Sequence, residues 1–272
     1  MKKILSVLAV TFSLSAFAGF RDGVSLYDRG DDQAALEQLK PFAEFGDIKS
    51  QLLVGSIYVR NKGVAQDPVE SLRWYKLAAD QGDEKAQIRV ADAYMTGNGT
   101  AKDYKQAREL HLILAQKGFV ESMNAMGNIY FQGLGLSPDY VESVKWYQKS
   151  AAKNNAQGQA ALGHMYRAGL GAIQDYTEAY RYFRLSAQQN NALGLHNLAV
   201  MYYNGEGVKK DNVVAYALFN LAAQQGKQAS VAMRTSLTQR LSSTEINRAQ
   251  EFSRNLIKPD NFLKALADFT AP

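Results

Sequence analysis

Residues 130–147 read YFQGLGLSPDYVESVKWY, and residues 166–183 read YRAGLGAIQDYTEAYRYF. Laid one over the other, Tyr130 falls on Tyr166, Gly133-Leu134-Gly135 on Gly169-Leu170-Gly171, Asp139-Tyr140 on Asp175-Tyr176, and Glu142 on Glu178. The offset is 36 residues, and it continues outward in both directions. Tyr58, Tyr94, Tyr130, Tyr166 and Tyr202 keep that spacing without a slip, as do Gly63, Gly99, Gly135, Gly171 and Gly207. So do Asp67, Asp103, Asp139, Asp175 and Asp211, and Ala79, Ala115, Ala151, Ala187 and Ala223. Four columns, each filled by one residue type in five registers, are not a product of chance. The chain holds five tandem repeats, over about residues 48–227.

Each unit reads as two helices. The first carries small or apolar residues on one stripe, such as Ala86, Val90, Ala91 and Tyr94, then Ser122, Met126, Gly127 and Tyr130. The second interleaves bulky and small residues, such as Ser143, Trp146, Tyr147, Ser150 and Ala151, which lets neighbouring helices interlock. Gly-x-Gly fills the connector in four units, where a chain reversal calls for positive φ. The repeated Asp then stands where an N-cap is needed. Glu70, Gln106, Glu142 and Glu178 follow it by three residues, the pattern of a capping box.

The repeat signature frays at both ends, as it must where a terminal unit faces water. Residues 20–46 read as an atypical first pair, residues 229–257 as a closing pair, and residues 258–272 as a short capping helix carrying Phe262, Leu263, Leu266 and Phe269. The expected fold is all-α: a right-handed superhelical α/α solenoid over residues 19–257, built of 36-residue helix-pair repeats.

The unit, written Ala-x3-Leu-Gly-x2-Tyr-x2-Gly-x-Gly-Val-x3-Asp-x3-Ala-x2-Trp-Tyr-x2-Ala-Ala-x2-Gly, resembles the Sel-one-like repeat, a relative of the tetratricopeptide repeat. Leu162-Gly163-His164-Met165-Tyr166 with Gly169-Leu170-Gly171 carries the resemblance, together with Asp139 and Ser143-Val144-Lys145-Trp146-Tyr147. It implies protein-binding scaffolds, among them bacterial envelope adaptors, host-interaction factors and immunity proteins that neutralise secreted toxins. One branch of that family is cysteine-rich; this chain has no cysteine, so that branch's disulfides do not carry over.

Composition narrows the chemistry. With 272 residues, 46% hydrophobic and 21% charged, the chain is globular in character. No cysteine means no disulfide framework, thiolate metal site or cysteine nucleophile. A net charge of +5, dispersed along the chain, is not the footprint of a nucleic-acid binder. Met1-Lys2-Lys3, the apolar run Ile4 to Phe17 and the exit Ala16-Phe17-Ala18 form a signal peptide over residues 1–18, too short for a span of about 20 apolar residues. Cleavage before Gly19 would lower the net charge to +3 and place the mature chain, without a transmembrane segment, in the periplasm or outside the cell.

The catalytic inventory is thin. His111 falls in the column of Tyr75, Tyr147, Phe183 and Phe219 and reads as a core residue. His164 and His196 lie on first helices of adjacent repeats with no carboxylate in the matching columns of those two repeats, Asp92 being two repeats away, so no metal site is expected. The motifs of serine hydrolases, zinc proteases and phosphate-binding loops are missing, and the repeated Gly-x-Gly is connector punctuation. We expect no enzymatic activity and no cofactor. Removing core columns from the first helices leaves a ladder that varies between repeats, on the side expected to be concave. Arg89, Asp92, Met95, Asn128, Phe131, His164, Arg167, His196, Asn197 and Tyr203 are its protein-binding candidates, rich in residue types found at interface centres. The expected function is a non-enzymatic protein-interaction scaffold in the envelope, an adaptor or an immunity protein. The competing reading is an envelope hydrolase or glycan-binding protein, which would show a deep pocket with convergent Asp or Glu.

Overall fold

The computed structural model describes residues 19–270, all of whose regular structure is helical. The chain is an all-α protein of the solenoid class, built from consecutive 36-residue helix pairs. Residues 19–29 form α1, followed by α2 (Asp32–Glu44), α3 (Ile48–Arg60), α4 (Pro68–Asp80), α5 (Glu84–Thr96) and α6 (Tyr104–Gln116). Then come α7 (Val120–Gln132), α8 (Tyr140–Ala152), α9 (Ala156–Ala168), α10 (Tyr176–Gln188), α11 (Ala192–Asn204) and α12 (Asn212–Gln224). The last are α13 (Gln228–Thr238), α14 (Ser243–Leu256) and α15 (Phe262–Thr270). Two compact units divide after Lys117. The leader expected over residues 1–18 lies outside the described residues, as do Ala271 and Pro272 at the end of the tail.

One local device repeats in both units. The carbonyl of each repeated Tyr accepts a hydrogen bond from the N–H of the repeated Asp nine residues on, as in Asp139 to Tyr130 at 2.8 Å and Asp211 to Tyr202 at 2.9 Å. The same Asp carboxylate accepts from the first turn of the second helix, for example from Glu142 N–H at 3.0 Å, which supplies about 1 kcal/mol per cap. One residue therefore ties the end of one helix to the start of the next. This device also corrects the capping-box expectation. The Asp N–H is already taken by the Tyr carbonyl, so no acceptor at the third helical position is needed. Glu70 and Glu178 turn outward to Arg73 (2.9 Å) and Arg181 (2.7 Å), Glu142 pairs with Lys145, and Gln106 bonds the Asp103 carboxylate instead of its backbone. A complete capping box forms only outside the repeats, among the described residues, at Ser242 and Glu245.

Helix ends stop where a left-handed residue stands. Gly97, Gly133, Gly169 and Gly205 close the first helices with positive φ, and Asn61 takes the same conformation in the first repeat. Asn is the usual substitute because its short polar side chain tolerates that region.

In the first unit the core forms from Ala35, Leu39, Val54, Ile57 and Trp74, with a second cluster of Leu72, Val90 and Ala93. His111 is buried as its column suggested, and burial pushes its imidazole down to about 4. Its Nε2 lies 3.6 Å from Asp92 Oδ1. In the second unit Val144, Tyr147, Leu162 and Met165 form one cluster, while α10–α15 share a larger one. The interlock is tight: a Cβ at Gly127 would fall 2.5 Å from the Tyr147 ring, and one at Gly163 would fall 2.8 Å from Phe183. Ser143 reinforces the pairing by donating to Gly127 O at 2.8 Å. The amphipathic α15 buries Phe262 and Leu266 in the larger cluster and stacks Phe269 on Phe252 at 4.0 Å.

A candidate protein-binding groove

In the second unit the first helices α7, α9, α11 and α13 present the surface that varies between repeats. A groove of about 400 Å³ runs across them, lined by Asn128 and Phe131 from α7, Ala161, His164 and Met165 from α9, and Leu193, His196 and Asn197 from α11. Tyr147 forms part of the floor, and Lys227 and Ala229 close the end beside α13. Each side chain arrives by a short physical chain. α9 packs on α11 as well as on its own partner α10, so residues one repeat apart become neighbours on one face. His164 and Phe131, nearly one repeat apart in sequence, meet edge to face at 6.1 Å, and Phe131 also touches Tyr140 at 5.7 Å. His196 leans on Phe219 at 5.4 Å between ring centres, and its Nδ1 lies 2.7 Å from Ser230 Oγ.

The electrostatics are one-sided. Burial lowers the pKa of both His164 and His196; Arg167 adds to both shifts, and Lys227 adds more at His196. At neutral pH both rings are therefore uncharged, each with one N–H donor and one acceptor nitrogen. Among the described residues no carboxylate lines the groove. Burial also raises Tyr147, to about 12, so the floor is neutral. The groove offers apolar contact with a few polar anchors and no acid–base pair.

The ten residues singled out from sequence separate into groups. Asn128, Phe131, His164, His196 and Asn197 line this groove. Arg89 and Asp92 line a smaller hollow of about 270 Å³ in the first unit, with Ser56 and Tyr75, and burial raises the pKa of Asp92. Met95, Arg167 and Tyr203 line neither. Arg167 Nε is held by Glu206 at 2.8 Å, and the Tyr203 hydroxyl accepts from Arg240 at 2.9 Å, with the Lys210 ammonium 5.6 Å from its ring. Sequence reasoning passed over Leu193 and Lys227, although a signal was present. Leu193 follows Lys49, Lys85, Glu121 and Gln157 in its column, an apolar residue where the others are polar. Lys227 takes the N-cap place held by Asp47 and Asp83 in the first unit. Among the described residues no three His, Asp or Glu side chains stand together as metal ligands, and no helix is long and apolar enough to cross a membrane.

The Sel1 repeat matches five consecutive stretches of the chain, residues 48–83, 84–119, 120–155, 156–191 and 192–227. The protein belongs to the Sel1 repeat family. Its boundaries coincide with the helix pairs, each match beginning on or beside the first residue of a first helix. The fold agrees with solved Sel1 repeat structures. A Sel1 repeat protein from Oxalobacter formigenes superposes with a TM-score of 0.72 at 26% identity, over 86% of this chain and 98% of that one. A protective antigen of uropathogenic Escherichia coli with the same repeat fold gives 0.69 at 29% identity over 96% of this chain. This Sel1 protein spans about half, 54%, of that antigen's length. An immunity protein of Pseudomonas aeruginosa, 18% identical with a TM-score of 0.50, shares the fold over 82% of this chain and 84% of its own. No curated protein matches the chain in sequence. Sel1 repeats form protein-interaction scaffolds and are in general non-catalytic.

Proposed function

We propose that this Sel1 repeat protein is a non-enzymatic scaffold that works outside the cytoplasm and holds a partner protein in the groove across α7, α9, α11 and α13. The observation that carries this reading is the groove's lining: Phe131, Leu193 and Met165 set among His164, His196 and Asn197, with no carboxylate among them. Apolar and aromatic groups gathered in a solvent-facing hollow are costly to leave wet, and they suit an interface centre. The same lining argues against a glycan hydrolase, which needs two carboxylates flanking the bond it breaks. A photo-crosslinking amino acid at Leu193 should give a discrete adduct with one partner protein in the producing cell, lost on Ala161→Trp, which fills the groove. The same group at Ile173, 90% exposed in a connector, should give none. Equal adducts at both positions, or no adduct at Leu193, would overturn the reading. The partner's identity separates the two roles within the class: a toxin marks an immunity protein, an envelope component an adaptor.

Export rests on the sequence pattern of residues 1–18, a basic head, a short apolar run and an Ala-x-Ala exit. The intact mass of protein recovered from the extracytoplasmic fraction should correspond to a chain starting at Gly19. A full-length mass in the membrane fraction would show that the segment is kept as an anchor.

A further inference from the structure

Taken together with their N-caps, the first helices of the second unit carry little negative charge. Helices α9, α11 and α13 contain neither Asp nor Glu, and α7 has only Glu121, in its first turn. Their N-caps are Phe119, Asn155, Asn191 and Lys227, whereas α3 and α5 begin with Asp47 and Asp83. Helix starts favour acids, so these ends keep their partial positive charge. The carboxylate nearest to Arg167, Glu206, is already committed: Arg167 binds one oxygen at 2.8 Å and Asn204 the other at 2.8 Å.

Within the groove, Lys227 is the one charged side chain among the described lining residues, and it belongs to none of the ion pairs found there. Asn197 is 8% exposed, lines the same groove, and makes no side-chain hydrogen bond among the described residues. Its amide atoms are not closed off from solvent, so they can hydrogen-bond a group that enters the groove. His196, with Nδ1 engaged by Ser230, has Nε2 left as its remaining hydrogen-bonding atom. A hollow of about 400 Å³ accommodates one large apolar side chain with its flanking backbone.

Building on the proposed binding role, we propose that the groove takes an acidic segment of its partner: one aliphatic or aromatic side chain among Phe131, Ala161, Met165 and Leu193, with an adjacent Asp or Glu carboxylate toward Lys227, Asn197 and His196. The charge complementarity is what selects this occupant. A basic segment would bring its cation to Lys227 and find no acid in the lining, and a purely apolar one would leave the Asn197 amide unpaired.

The test is selection from a displayed library of random peptides on the full chain, followed by affinity measurement of the selected peptides. The wild type should enrich Leu, Ile, Met or Phe next to Asp or Glu. Lys227→Glu should weaken those peptides about tenfold, reduce their salt dependence and shift selection toward Lys or Arg. Ala161→Trp should abolish binding of every selected peptide, with helical circular dichroism unchanged in both variants. Peptides that lack an acid, or acidic peptides indifferent to Lys227→Glu, overturn the charge assignment while blockage by Ala161→Trp keeps the groove reading standing. No enrichment, or enrichment untouched by Ala161→Trp, overturns the groove reading itself.

Discussion

Phe183→Ala lowers the stability of the protein by about 3–5 kcal/mol, the cost of emptying a fully enclosed aromatic site. Phe183 has no exposed surface, and its ring lies against Gly163, the position on α9 where even a methyl group would come within 2.8 Å. It joins Leu195, Leu198 and Phe219 in the cluster shared by α10–α15, so the loss is felt on both sides of the helix. The cavity cannot be refilled cheaply, because Gly163 has no side chain to swing into it. Denaturant titration followed by helical circular dichroism measures the effect. Ile173→Ala, in an exposed connector, serves as the comparison and should change stability by about 0.5 kcal/mol or less. Equal losses for the two variants would mean that α9 and α10 do not interlock through this layer.

The second large effect is in the connector. Gly171 has φ +69°, and a Cβ there would stand 2.1 Å from the carbonyl oxygen of Tyr140, the first residue of the preceding second helix. Gly99 meets Pro68 O at the same distance in the first unit. The obstacle is backbone, which cannot rotate away as a side chain can. Gly171→Ala should therefore cost about 3 kcal/mol or more, combining a left-handed alanine with displacement of a neighbouring turn. Gly226→Ala isolates the first component, since Gly226 has φ +81° and nothing within 4 Å of its added Cβ. That variant should lose about 1 kcal/mol. Melting and denaturant curves for the pair settle it. If both lose the same amount, the connector does not sit against the preceding helix start.

These two results explain why the repeat is so visible in the sequence. A glycine held at positive φ that at Gly99 and Gly171 also meets backbone, a small residue that meets an aromatic ring, and an Asp whose N–H and carboxylate bind two different helices accept almost no substitution. Each leaves an uninterrupted column. The helix pairs and the small-against-large packing follow from those columns alone, because every contact behind them lies within one unit or between neighbours.

The capping box was the exception. Glu three residues after Asp is the right sequence signal, but whether the Asp N–H is available depends on the Tyr carbonyl of the preceding helix, which only the folded repeat brings there. The binding ladder divides in the same way. Periodicity identified Phe131, His164 and His196 as residues on first helices, since helical spacing determines a face. It did not separate them from Arg167 and Tyr203, which share those helices but are engaged by Glu206 and Arg240. Those partners are 39 and 37 residues away, one repeat plus a step, and no column records such a pairing. Leu193 and Lys227 became part of a site only when stacking set the start of one first helix beside the middle of another. Local hydrogen bonds and close approach are written as repeated residues, so the sequence by itself determined the architecture. The groove is a difference between repeats, made by side chains from several first helices and Tyr147 on α8 meeting on one face, and that meeting was decided by tertiary packing.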